Sequence, residues 1–137
     1  MTGCAFVIAA ALGLTGPGAA PPVQAAPDAV RGEAIYARCL ACHALAFDRV
    51  GPRHCGLLGR RAGSVPAFDY SQAMKQSAIV WDEKSLDRFL AEPMKTIPGT
   101  TMTYDGVQDR RERADLIAYL RRVQQAPQCR GNSGSSR

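Results

Sequence analysis

Residues Cys39-Leu40-Ala41-Cys42-His43 constrain the fold of this chain more than any other stretch. The spacing C-x-x-C-H is the pattern for covalent attachment of a c-type haem. Two thiols one helical turn apart reach two vinyl groups on one porphyrin edge, and the adjacent imidazole then meets the iron as an axial ligand. A chain carrying such a group must wrap around it, so the motif predicts a fold built about one large apolar centre. The cysteine pair has two competing readings. A thiol-redox site belongs after a strand in a βαβ unit, whereas residues 28–38 read as helix. A structural zinc site needs four ligands, usually with a second knuckle. Only His54, Cys55 and Cys129 follow, and they form no such knuckle.

At 137 residues the chain is expected to hold one domain. Residues 1–25 contain no charged side chain, 4–14 are an apolar run of signal-peptide length, and Val23-Gln24-Ala25 has the small-residue pattern of a cleavage site. We therefore expect a signal peptide at 1–25 and a single domain at 26–137, with a core of about 28–126 and a flexible tail at 130–137. The apolar run is too short to span a bilayer, and no longer one follows. All 17 Lys and Arg and all 12 Asp and Glu fall after residue 25, so the net charge of +5 belongs to the folded part. Such modest basicity suits acidic protein partners or membrane headgroups. No basic stretch interleaves with aromatics, which argues against nucleic acid. The expected state is a monomer.

Periodicity and capping predict a mainly helical chain. A first helix is expected from about Asp28 into Cys42, with Ala29, Ile35 and Tyr36 on its apolar face and Gly32 allowing close approach. Residues 44–66 read as loop, broken by Gly51-Pro52, Gly56, Gly59 and Gly63. A short helix is expected at 71–76, and another from the cap Asp82 to before Pro93. Residues 93–107 read as a Pro/Gly-rich loop. The last helix follows Asp109, with Leu116, Ile117, Tyr119, Leu120 and Val123 at helical spacing, and Pro127 is expected to end it. The fold class is all-α, three to five helices with long loops around one covalently bound haem.

The second axial ligand has four candidates: Met74, Met94, Met102 and His54. Met102 follows Ile97-Pro98-Gly99-Thr100-Thr101, a turn able to present a thioether to the iron. Met74 and Met94 are assigned to packing. His54 stands only eleven residues beyond His43 and is set aside because the opposite face is hard to reach from there.

From about Arg31 to Val123 the chain resembles a class I c-type cytochrome, of the mitochondrial and bacterial c2-like group. The pieces that match, in order, are Cys39-x-x-Cys42-His43, Gly51-Pro52, Gly56-Leu57-Leu58-Gly59-Arg60, Phe68-Asp69-Tyr70-Ser71, Trp81, Pro93, Ile97-Pro98-Gly99-Thr100-x-Met102 and Asp115-Leu116-Ile117-Ala118-Tyr119-Leu120. The resemblance implies the cytochrome c fold and one haem c bound through Cys39 and Cys42. It implies His43 and Met102 as iron ligands, with the Pro52 carbonyl accepting the His43 Nδ1 proton. Arg60, Tyr70 and Trp81 would hold or neutralise the propionates, and Thr100 would sit near the haem on the methionine side. The first and last helices would cross at Gly32 and Tyr36 against Leu116 and Tyr119.

Three departures from the family pattern stand out. Arg53-His54-Cys55-Gly56 replaces the family's Asn-Leu-His-Gly, so Cys55 stands in place of a bridging histidine. Cys129 is the remaining cysteine after residue 25; either the two form a disulfide, as an oxidising compartment favours, or both are free thiols. Phe89 stands where the family commonly has a tyrosine bonded toward the axial methionine. Met94 and Thr101 occupy family lysine positions around the haem edge, leaving Lys95 and Arg38.

The function the resemblance implies is a periplasmic electron carrier, not an enzyme. It would take electrons from a quinol-cytochrome c reductase or a periplasmic dehydrogenase and pass them to an oxidase or peroxidase. The alternatives are a haem subunit of a larger oxidoreductase, or a haem enzyme or gas-binding protein with a labile sixth ligand.

Overall fold

A computed structural model describes residues 25–130 of the protein. All but the last residue of the expected signal segment, and residues 131–137 of the expected tail, lie outside the described residues.

The first helix, α1 (Ala29–Tyr36), starts where the Asp28 side chain accepts from the amides of Val30 and Arg31 at 2.8 and 3.3 Å. It stops earlier than expected. After Tyr36 the chain tightens into a 3-10 turn, Ala37–Cys39, and the His43 amide then bonds the Cys39 carbonyl at 2.8 Å. The tighter bonding satisfies carbonyls that the α-helix leaves orphaned at its end.

Helix α2 (Gln72–Gln76) is capped by Ser71. Helix α3 (Glu83–Ala91) begins with a reciprocal pair: Ser85 N donates to the Asp82 carboxylate at 2.6 Å, and Asp82 N donates to Ser85 Oγ at 2.8 Å. Two one-turn helices were not foreseen. Helix α4 (Pro93–Thr96) and helix α6 (Pro127–Arg130) both start at a proline that sequence reading treats as a stop. Proline has no amide hydrogen to lose at a first helical position, and its φ is already helical. Helix α4 buries Pro93 and leaves Met94 half-exposed, so Met94 is not the packing residue expected. Met74 does join the core. Among the described residues no strand forms, but one antiparallel bridge joins Arg61 and Val80 within the long loop region.

Helix α5 (Arg110–Val123), capped by Asp109, packs across α1. The crossing depends on Gly32. A Cβ there would collide with the Asp115 carbonyl and stand 2.8 Å from Tyr119 Cβ. One turn on, the Tyr36 and Tyr119 rings meet at 5.1 Å. The buried Asp115 side chain locks the same crossing: it accepts from Asp28 N at 2.6 Å and from Arg31 Nε at 2.9 Å, with Arg111 Nε 3.4 Å away. Burial alone would raise the Asp115 pKa. The hydrogen bonds from Arg31 and the Asp28 amide, with the Arg31 and Arg111 charges, outweigh it and leave the carboxyl below its ordinary value.

At the other end of α5, Cys129 on α6 is buried and joined to Cys55 by a disulfide, with Cα atoms 4.9 Å apart across 74 residues of sequence. Beside it Gln124 donates to the His54 carbonyl at 3.2 Å and accepts from Leu57 N at 3.0 Å. The C-terminal helices are thus fastened to the loop that follows the cysteine motif.

Two outcomes follow from these contacts. Asp115→Asn should lower stability by about 1–3 kcal/mol at neutral pH, through loss of charge-assisted hydrogen bonds. Because the folded pKa is depressed, the Asp115 contribution is present above the unfolded value and lost as pH falls through the folded one. Thermal unfolding should therefore show a gap between wild type and variant that closes below about pH 4. Replacing both Cys55 and Cys129 by serine should cost about 4 kcal/mol, read from denaturant midpoints, since the bond closes so long a loop.

Candidate haem site

The fold encloses a cavity of about 410 Å³, and every residue picked out for cofactor binding lines it. Cys39, Cys42 and His43 come from the turn after α1. Pro52 and Arg60 come from the next loop, Tyr70 from just before α2 and Trp81 from just before α3. Thr100 and Met102 come from the loop between α4 and α5.

The chain after Cys42 folds back so that Gly51 N bonds the Cys42 carbonyl at 2.7 Å. This return brings Pro52 to His43, whose Nδ1 lies 2.8 Å from the Pro52 carbonyl oxygen. A carbonyl can only accept, so Nδ1 carries the hydrogen and Nε2 keeps a free lone pair. Gly51 is required at this point because any Cβ would collide with the His43 ring. Burial pushes the His43 pKa down, only partly opposed by the Pro52 carbonyl, which favours the neutral imidazole that a metal requires.

Met102 is presented by a second turn. Gly99 has a φ of +89°, which allows the tight Pro-Gly reversal. Thr100 N then bonds the Ile97 carbonyl at 3.0 Å, and the buried Thr100 hydroxyl accepts from Met102 N at 3.3 Å. Phe89, in the position where a tyrosine was noted as usual, is buried 5.0 Å from Trp81.

Arg60 tests whether these residues fit a haem. Its terminal nitrogens donate to the carbonyls of Cys55 and Arg53 at 3.0 and 2.9 Å. Its Nε is buried with no hydrogen-bond partner, and burial pulls the guanidinium pKa down. A half-buried cation with a buried, unsatisfied donor beside a cavity calls for an anion. Tyr70, half-buried against Phe68 at 4.6 Å, lines the same cavity. A propionate supplies the missing anion, and Leu57, Leu86, Leu90, Leu116 and Leu120 supply an apolar wall for a porphyrin. The residues present fit the group.

Sequence reading missed where His54 sits. Weighed as a zinc ligand or as the distal ligand, it lies on the His43 side: the two rings stack with centroids 4.4 Å apart and planes at 23°. Tyr36, foreseen only as a helix contact, reaches His54 Nδ1 with its hydroxyl at 3.0 Å. Burial, with His43 and Arg60 nearby, holds the His54 pKa well below its ordinary value. Its place one residue before the departing Cys55 was the available signal.

Known proteins give the same answer as the site. The family model for cytochrome c matches residues 29–124. The chain is 43% identical over 99 residues to cytochrome c2 of Rhodomicrobium vannielii, covering 70% of this chain and 79% of that protein. It is 42% identical to cytochrome c2 of Blastochloris viridis, covering 71% and 79%. Cytochrome cH from Methylobacterium extorquens superposes with a TM-score of 0.68 at 40% identity, covering 69% of this chain and 98% of that one. The chain belongs to the cytochrome c family as a class I c-type cytochrome, an electron carrier rather than an enzyme, with one haem c held through its cysteine pair.

Proposed function

We propose that this cytochrome works in the periplasm with its iron held between His43 and Met102. The observation that carries this reading is one apolar cavity that receives both a thioether and an imidazole whose Nδ1 is already engaged. When bound, the haem supplies a one-electron couple between ferric and ferrous iron.

The chain's residues set the terms of that couple. Cys39 and Cys42 tether the group, and His43 offers Nε2 in a fixed tautomer. Met102 would offer a soft sulfur that favours ferrous iron, and a haem held by both His43 and Met102 would offer a small gas no open site. The leucine wall excludes water and disfavours the extra charge of the oxidised state. Arg60 would compensate the charge of a haem propionate. The protein thereby contributes orientation and electrostatics and breaks no bonds.

Export through residues 1–25 is supported by their apolar, uncharged composition. The cysteine pairing of Cys55 with Cys129 suits an oxidising compartment. No helix among the described residues is long and apolar enough to cross a membrane. We assign the donor to a quinol-cytochrome c reductase or periplasmic dehydrogenase, and the acceptor to an oxidase or peroxidase.

Docking at the haem edge should be weakly electrostatic. Arg38, on the cavity rim, is engaged with Glu112 at 2.7 and 2.8 Å, and Lys95 lies 3.0 Å from Glu92. Arg38 and Lys95 are thus each ion-paired, and Arg49, next to Val50, donates to the Leu40 carbonyl at 2.7 Å, while Val50 on the cavity rim is 81% exposed.

Two measurements test the reading. The reduced wild type should not bind carbon monoxide, whereas reduced Met102→Ala should bind it readily; an optical titration that shows strong binding to wild type would favour a gas-binding protein. Electron-transfer rate constants with the physiological partner should change less than about threefold between about 0.01 and 0.15 M ionic strength. A steep fall would require a lysine-ringed docking mode.

A further inference from the structure

The loop that carries Pro52 also carries His54, and its ring is fixed from more directions than a space-filling residue needs. The His54 amide is shared between the Ala44 and Leu45 carbonyls, both at 3.1 Å. Its carbonyl accepts from Gln124, just past the end of α5, and from the Leu57 amide. The next residue is pinned to α6 by the disulfide. The ring is gripped by Tyr36 of α1, itself buried against Tyr119 of α5.

What this frame supports is the face of His43. The Pro52 bond fixes the tautomer and one point on the imidazole, and the Gly51 backbone lies against the ring, which leaves the face turned toward His54 to be held. A flat ring stacked at 4.4 Å and 23° holds that face. The plane of an axial imidazole selects which iron orbital holds the unpaired electron of a low-spin ferric haem. It therefore affects both the spin distribution over the porphyrin and the energy of reduction. Residues behind a metal ligand commonly act through such orientation.

We propose that His54 is a positioning residue for the iron's imidazole: stacked on His43 and held by the Tyr36 hydroxyl, it sets the His43 plane over the haem and so tunes the carrier's redox equilibrium. This rests on His43 being the axial ligand. It gives a role to both departures in the His54-Cys55 dipeptide. Histidine supplies the stacking ring, and the disulfide fastens the backbone beneath it.

The test compares the haem-loaded wild type with His54→Leu and Tyr36→Phe. Three properties are read: the optical spectrum, the paramagnetically shifted haem-methyl proton resonances of the ferric form, and the electron-exchange equilibrium with a small reference couple. All three proteins should keep imidazole–thioether spectra. His54→Leu should redistribute the methyl shifts and change the equilibrium constant at least about threefold, about 28 mV at 59 mV per tenfold. Tyr36→Phe removes one oxygen and keeps the packing, so it should fold even if His54→Leu does not. It should move the methyl pattern the same way by a smaller amount. A residue that only fills space would lower stability and leave the methyl pattern alone. Unaltered methyl shifts and an unaltered equilibrium in the variants that fold would overturn the inference while leaving the ligand reading intact. A wild-type spectrum without imidazole ligation would overturn both.

Discussion

The hydrogen bond from His43 Nδ1 to the Pro52 carbonyl joins the attachment motif to the remainder of the fold. It exists only because the chain after Cys42 turns back on itself, with Gly51 passing too close to the imidazole to carry a side chain. The same loop continues into His54, the disulfide at Cys55 and Arg60 with its unpartnered Nε. One short stretch therefore sets the imidazole tautomer, packs a ring against the imidazole and places a cation with a free donor beside the cavity. Displacing it would disturb the imidazole, the charge at the cavity and the anchor of the C-terminal helices together.

The helices serve this loop by closing a shell around the cavity. The α1–α5 crossing is fixed by backbone proximity at Gly32 and by the buried Asp115 carboxylate. Helix α3 is held independently, through Arg113 of α5, which reaches Asp87 at 2.8 Å and the Val107 and Gln108 carbonyls. These polar fasteners lie apart from the apolar wall formed by leucines of α3 and α5. That division lets a small domain spend its apolar surface on the cofactor and leave directional specificity to charged hydrogen bonds.

Much of this was legible in the sequence. The C-x-x-C-H spacing, the Asp82 and Asp109 caps, the α5 periodicity and the Pro-Gly turn before Met102 are local signals, each read within a few residues. The first helix ends sooner than its pattern suggests, and Met94 stays exposed. Helices α3 and α5 do end before Pro93 and Pro127, but each proline also starts a short helix, which single-sequence patterns do not reveal. His54 was judged by its distance from His43 along the chain, but its position is a tertiary stack against a residue eleven positions earlier. No spacing rule reports that contact, because the fold-back at residues 49–52 creates it.

The most direct test of the account is an intact mass of the purified protein combined with its oxidised and reduced optical spectra. The account predicts the mass of one haem added through both Cys39 and Cys42, sharp low-spin bands on reduction, and a methionine-to-iron charge-transfer band in the oxidised state. A colourless product whose Cys39 and Cys42 both accept an alkylating reagent would contradict it.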